Sequence, residues 1–124
     1  MFINCLYVMI GGALGSLARY LIAISPFFSP IMATLFVNGL GSLLIGFFYS
    51  YAHHKALLTS PLSLLVAIGI LGGFTTFSTF SLDMYKLLEQ DAYLEILKNV
   101  TLTLVITLTA VCLGAYLGKI IIKG

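Results

Sequence analysis

The sequence predicts an all-α integral membrane protein built from four transmembrane helices. Three observations carry this. Of 124 residues, 60% are apolar and only 8% are charged, against about a quarter charged in soluble domains. The mean hydropathy is +1.13. A spanning helix takes roughly 20 apolar residues, so a chain of this length holds about four. Such a composition excludes a soluble domain, which could not wet its surface, and disorder, which needs low hydrophobicity and high charge.

Charges mark the span boundaries. No charge precedes Arg19, and span one runs from about residue 3 to 24. Met1 to Ile10 has no Lys or Arg and no small-residue cleavage site after it, so it reads as mature span and not as a removed signal. Ser25-Pro26-Phe27-Phe28-Ser29-Pro30 reads as a turn. Span two covers about 31–51 and ends at His53-His54-Lys55. Thr59-Ser60-Pro61 is a helix start, with proline in the first turn. Span three covers 61–82. The polar stretch from Asp83 to Lys98 reads as a connection, and span four covers 99–117. The whole chain, 1–124, forms a single four-helix domain.

The charges narrow the function. All four carboxylates (Asp83, Glu89, Asp91, Glu95) fall in that connection or at its edge. A proton-coupled carrier normally needs an intramembrane carboxylate, and no span offers one. The formal net charge of +2 is too small and too scattered to suggest nucleic acid as a partner. Lys55, Lys119 and Lys123 fall on one side of the membrane, and Arg19, Lys86 and Lys98 on the other. The bias that orients membrane proteins therefore vanishes. A balanced count predicts insertion in both orientations and assembly as an antiparallel pair, the alternative being one orientation set by where the charges fall within a loop. Cys5 and Cys112 lie far apart in apolar surroundings and read as packing residues.

Several features inside the spans carry chemistry. Gly11/Gly15, Ser42/Gly46 and Gly114/Gly118 are small-xxx-small pairs that let helix backbones approach in lipid. Asn38 sits near the middle of span two and must either bond a partner helix or face water. Arg19 either snorkels to the headgroups or anchors a wet vestibule. Span three contains Gly72-Gly73-Phe74-Thr75-Thr76-Phe77-Ser78-Thr79-Phe80-Ser81, a poor helix former near mid-span. It is either a glycine kink or a broken helix whose released carbonyls could hold a monovalent cation. Phe74, Phe77 and Phe80 recur every three residues, with Ser78 and Ser81 between them. Such a stripe is usually core, yet phenyl edges are positive and would attract a small anion in a pore. Asn99, Thr103 and Thr107 share one face of span four as a polar track.

These residues resemble the Fluc (CrcB) family of fluoride channels. The matching pieces are Gly11-Gly12-Ala13-Leu14-Gly15 with Arg19-Tyr20, Phe36-Val37-Asn38-Gly39-Leu40-Gly41, and Gly72 through Ser81. They occur in order over essentially the whole chain. The resemblance implies a dual-topology antiparallel dimer with two fluoride pores in a prokaryotic plasma membrane. It implies passive export of cytoplasmic fluoride down its electrochemical gradient, and no enzyme and no catalytic residue.

By motif position Phe77 and Phe80 resemble the paired pore phenylalanines, and Asn38 the pore asparagine. Ser78 and Ser81, with Asn99, Thr103 and Thr107, supply the remaining polar pore positions, and Arg19 the vestibule. Gly72 and Thr75 resemble the residues whose backbone carbonyls hold a structural Na⁺ at the dimer centre. Asp83 stands where the family often has Glu. The partners implied are fluoride, the bilayer, and a second copy of the chain or a paralogous chain as heterodimer; nucleic acid is not among them.

Two rivals explain less. A small multidrug-resistance exporter needs a carboxylate in span one, and residues 1–18 hold none. A membrane scaffold explains the glycines and balanced charge, but not a broken helix beside a polar track.

Overall fold

The computed structural model describes residues 1–123. Among them are four helices long and apolar enough to cross a membrane, at Phe2–Ala23, Pro30–His54, Pro61–Glu89 and Tyr93–Lys123. The described residues contain no strand.

Helix α1 (Phe2–Ala23) runs into the Pro26–Pro30 turn. Helix α2 (Pro30–His54) starts where Ser29 Oγ accepts from the Met32 N–H at 3.4 Å, with Pro30 in the first turn. It ends in a Schellman motif: the Leu57 N–H donates to the Ala52 carbonyl and the Ala56 N–H to that of His53. Ala56 takes the left-handed conformation (φ 54°) that this motif usually gives to glycine.

The third span is irregular. Helix α3 opens as Pro61–Ser63 under a Ser60 cap, continues as a π-helical stretch Leu64–Leu71, and closes as Gly72–Phe74. Thr75 and Thr76 are extended, and helix α4 (Phe77–Glu89) begins beyond them. The break therefore falls after the glycines and not at them. Gly72 and Gly73 remain helical, so low intrinsic propensity is not what stops the helix; hydrogen-bond partners at Thr76 do.

The connection expected between Asp83 and Lys98 is mostly helical. α4 continues to Glu89, a turn occupies Gln90–Ala92, and helix α5 (Tyr93–Lys123) starts well before residue 99 and runs past 117. A helix is free to extend beyond the hydrocarbon where charged side chains are solvated, and Glu95 and Lys98 pair across one turn at 3.5 Å.

Two tight helix pairs organise the bundle. In the first, α1 packs on α3. Gly15 lies directly against the Ile70 carbonyl, and a Cβ there would overlap backbone. In the second, α2 packs on α5, where a Cβ on Gly114 would overlap the Leu43 carbonyl. Backbone contact of this kind is the usual cement between helices in lipid. The buried apolar core is small (Ala33, Val37, Ala52, Leu71 and Phe74) while large apolar side chains such as Leu14, Phe77 and Leu104 are exposed. That inversion suits a surface covered by lipid or by another subunit.

Candidate functional site

Helix α2 presents Asn38 to the break between α3 and α4. Its carboxamide pairs with both backbone polar groups of one residue: Nδ2 donates to the Thr76 carbonyl at 2.9 Å, and Oδ1 accepts from the Thr76 N–H at 2.8 Å. A side-chain amide thus stands in for the missing helical partners of Thr76. This answers the cost of leaving backbone polar groups unpaired at membrane depth.

Thr76 also caps α4. Its Oγ1 accepts from the Thr79 N–H and lies 3.2 Å from both Ser78 Oγ and Thr79 Oγ1. Two carbonyls lose their helical donors as a result. The Thr76 N–H, which a continuous helix gives to Gly72, goes to Asn38; the Thr79 N–H, due to Thr75, goes to the Thr76 hydroxyl. The Gly73 carbonyl is served differently, by Arg19 Nε at 3.1 Å from α1.

Two recesses meet at Thr76. The larger, about 550 Å³, lies between α2, the break and α5, and gathers Asn38, Gly72, Thr75, Phe77, Thr103 and Thr107. Its lining contains no carboxylate among the described residues. The smaller, about 290 Å³, holds Arg19 with Ser16, Thr34, Thr76 and Thr79. Thr76 therefore forms part of the wall of both.

Of the candidate pore and cation-site residues, six line the larger recess, and Arg19 lines the smaller. Phe80 stands next to Phe77 on α4, ring centroids 5.6 Å apart and planes tilted by 47°. Phe77 is 78% exposed, so most of its ring has no partner within the chain. Ser81 Oγ donates to the Phe77 carbonyl and Ser78 Oγ contacts Thr76 Oγ1; neither lines a recess. Asn99 lies outside as well, its amide donating to the Glu95 carbonyl at 2.8 Å. Thr107 Oγ1 donates to the Thr103 carbonyl at 2.7 Å. The Thr103 hydroxyl makes no hydrogen bond among the described residues.

Sequence reasoning left out Thr76, Thr79 and Thr34, although Thr34 precedes Asn38 by four and so shares its helix face. It also placed Asp83 at the edge of the polar connection after span three, without a partner. Asp83 is instead 5% exposed on α4, and Thr34 Oγ1 approaches its Oδ2 at 2.9 Å.

Four apolar helices, one of them broken beside two recesses, define a multi-pass membrane protein. The family described as "CrcB-like protein, Camphor Resistance (CrcB)" matches residues 6–115. A relative named "Fluoride-specific ion channel FluC" from Gluconobacter oxydans is 41% identical over 119 residues, spanning 91% of this chain and 83% of its own. Relatives of the same name from Bacteroides fragilis are 41% identical over 121 residues, covering 92% of this chain and 94% of theirs. One from Pyrococcus abyssi is 36% identical over 116 residues, covering 92% and 94%. The chain belongs to the CrcB-like Fluc family, a family of channels and not of enzymes.

Proposed function

We propose that this chain forms a fluoride-selective passive channel that lets cytoplasmic fluoride leave down its electrochemical gradient. The observation that carries the reading is the larger recess, where Asn38, Thr103, Thr107 and the ring of Phe77 converge at a broken helix with no carboxylate among them. Relatives named as fluoride-specific ion channels support the ion assignment.

Fluoride is small and strongly hydrated, so a pore must replace its water with donors. Asn38 has a second amide hydrogen beyond the one given to Thr76, and the Thr103 hydroxyl is free to turn toward an ion. Phenyl edges at Phe77 and Phe80 offer weaker positive stations along the same route. Arg19 and the hydroxyls around it raise the local anion concentration at the entrance. Ser78, Ser81 and Asn99 stand beside this route and join it only through rotation or through a second subunit.

The assembly is an antiparallel dimer with two pores, formed from two copies of this chain or from this chain and a paralogue, in the plasma membrane of a prokaryote. The balanced lysine and arginine count supports dual insertion. Exposed Phe77 supports a second subunit, which would complete the pore wall. The Gly72 and Thr75 carbonyls of both copies would hold a structural Na⁺ at the dimer centre. These residues fit that ion, because both carbonyls have surrendered their helical donors. When bound, a monovalent cation would cross-link the two breaks electrostatically; Asn38 and Arg19 hold the backbone around these oxygens.

Vesicles containing only this chain test the reading. Fluoride efflux under a membrane potential is expected without any paralogue. Efflux that appears only when a second chain is added would replace the homodimer with a heterodimer, and no efflux in either case would remove the channel.

A further inference from the structure

The charged groups are sorted between the two ends of the bundle. One end, where α1 and α3 begin and α2 and α5 finish, carries His53, His54, Lys55, Lys119 and Lys123 and no Asp or Glu. All four carboxylates stand at the other end, on α4, α5 and the turn between them. The only ion pair among the described residues, Glu95 with Lys98, is there too.

At the cationic end α2 and α5 are held close, because a Cβ on Gly118 would stand 2.8 Å from the Phe47 carbonyl and 2.9 Å from Ser50 Cβ. Above this contact the helix ends enclose a recess of about 440 Å³ lined by Tyr49, Ser50, His53, His54, Lys119 and Lys123. The Tyr49 and His53 rings meet at 5.9 Å on one wall. The recess is thus lined by two lysines, two histidines, a tyrosine and a serine, with no Asp or Glu among its described residues.

Its depth is set by the sequence of α5. The uncharged stretch 99–118 makes about 30 Å of helix, the thickness of the hydrocarbon layer. Lys119 therefore stands at the hydrocarbon boundary, and Lys123 one turn further out, among the headgroups. Leu113, Tyr116 and Leu117 on the turns beneath are large, exposed and hydrophobic.

We propose that this recess binds the phosphate of an anionic phospholipid headgroup. Lys119 and Lys123 are one helical turn apart and grip the phosphate oxygens, while the imidazole N–H groups and the Ser50 and Tyr49 hydroxyls supply neutral donors. The lipid's acyl chains lie along the exposed apolar surface of α5. A soluble anion has no use for that surface, which commits the site to a lipid and not to free phosphate. The site serves to anchor the α2–α5 end at a fixed depth, and it stands whatever ion crosses the protein.

Native mass spectrometry of the full chain, after incubation with phosphatidylglycerol or phosphatidylcholine in detergent, tests this. Preferential retention of phosphatidylglycerol is expected. Lys119→Gln and Lys123→Gln should each reduce the preference about fivefold, the factor equivalent to about 1 kcal/mol per basic group. The Lys119→Arg/Lys123→Arg pair should keep it, and so should Lys86→Gln/Lys98→Gln at the opposite end. Far-ultraviolet circular dichroism identifies variants that retain the helical fold, and the comparison is made on those. Equal retention of both lipids by the unaltered chain would overturn the proposal, as would an undiminished preference in the glutamine variants. Displacement of the lipid by millimolar inorganic phosphate would also overturn it, marking a free-anion site.

Discussion

Asn38 and Thr76 form a two-bond pair in which one side-chain amide satisfies both the N–H and the carbonyl of a single residue across the helix break. The break and the pair depend on each other. Without the break the Thr76 N–H would be inside a helix; without Asn38 it would be unpaired at membrane depth. The same contact takes the helical donor of the Gly72 carbonyl, while the Thr76 hydroxyl that caps α4 takes that of Thr75.

Substitution of Asn38 should therefore damage stability and flux together. Asn38→Ser removes a two-point partner, and each backbone group left unpaired costs about 1–3 kcal/mol. Asn38→Asp should be worse. A carboxylate accepts from the Thr76 N–H but turns a second oxygen toward the Thr76 carbonyl, and it repels an anion in the adjoining recess. Thermal unfolding in detergent and fluoride efflux from vesicles should rank the variants Asn, Ser, Asp on both measures. An aspartate variant with normal efflux would contradict the placement of Asn38 on the ion route.

The helix pairs predict a second, purely structural outcome. Gly114→Leu should destabilise the α2–α5 pair by more than the 1–3 kcal/mol typical of overpacking, because its Cβ meets the Leu43 backbone and not a movable side chain. Gly12→Ala should be nearly silent, since nothing lies within 4 Å of a Cβ there. Unfolding midpoints of the two variants make the comparison, and equal midpoints would refute the close backbone contact.

Topology can be read directly. Reporters fused to the C-terminus should be active on both sides of the membrane, as expected from three basic residues on each side. Several lysines added near the C-terminus should bias insertion to one orientation and lower activity, because antiparallel partners become scarce. Strong single orientation of the unmodified chain, with no partner chain present, would contradict dual insertion.

Much of the fold was legible in the sequence because charge is so sparse. Arg19, the His53-Lys55 cluster and Lys119 punctuate apolar runs, so the spans follow from counting. The helix between Asp83 and Lys98 was hidden for the converse reason: polarity marks the end of the hydrocarbon, not the end of a helix. The break in the third span was legible as a run of poor helix formers, but its position was not. Propensity pointed to Gly72-Gly73, whereas long-range partners, Asn38 on Thr76 and Arg19 on Gly73, determine it. Helical spacing aligned Thr103 with Thr107, and both line the larger recess. It also included Asn99, which lies beyond the recess because α5 extends past the broken helix. Buried Asp83 was missed because its partner, Thr34, lies 49 residues away.

The central claim is that fluoride moves along the recess and the phenyl rings beside it, and Phe80→Ile tests it most directly. Fluoride efflux per reconstituted dimer should be measured alongside the unfolding temperature of the same preparation. If the ring edge is a station for dehydrated fluoride, efflux per dimer should fall nearly to background while the dimer still assembles, since an aliphatic side chain has no positive rim. If the ring is only packing, the variant should lose up to a few kcal/mol of stability and keep its efflux per folded dimer. Normal efflux from a less stable dimer would contradict the account.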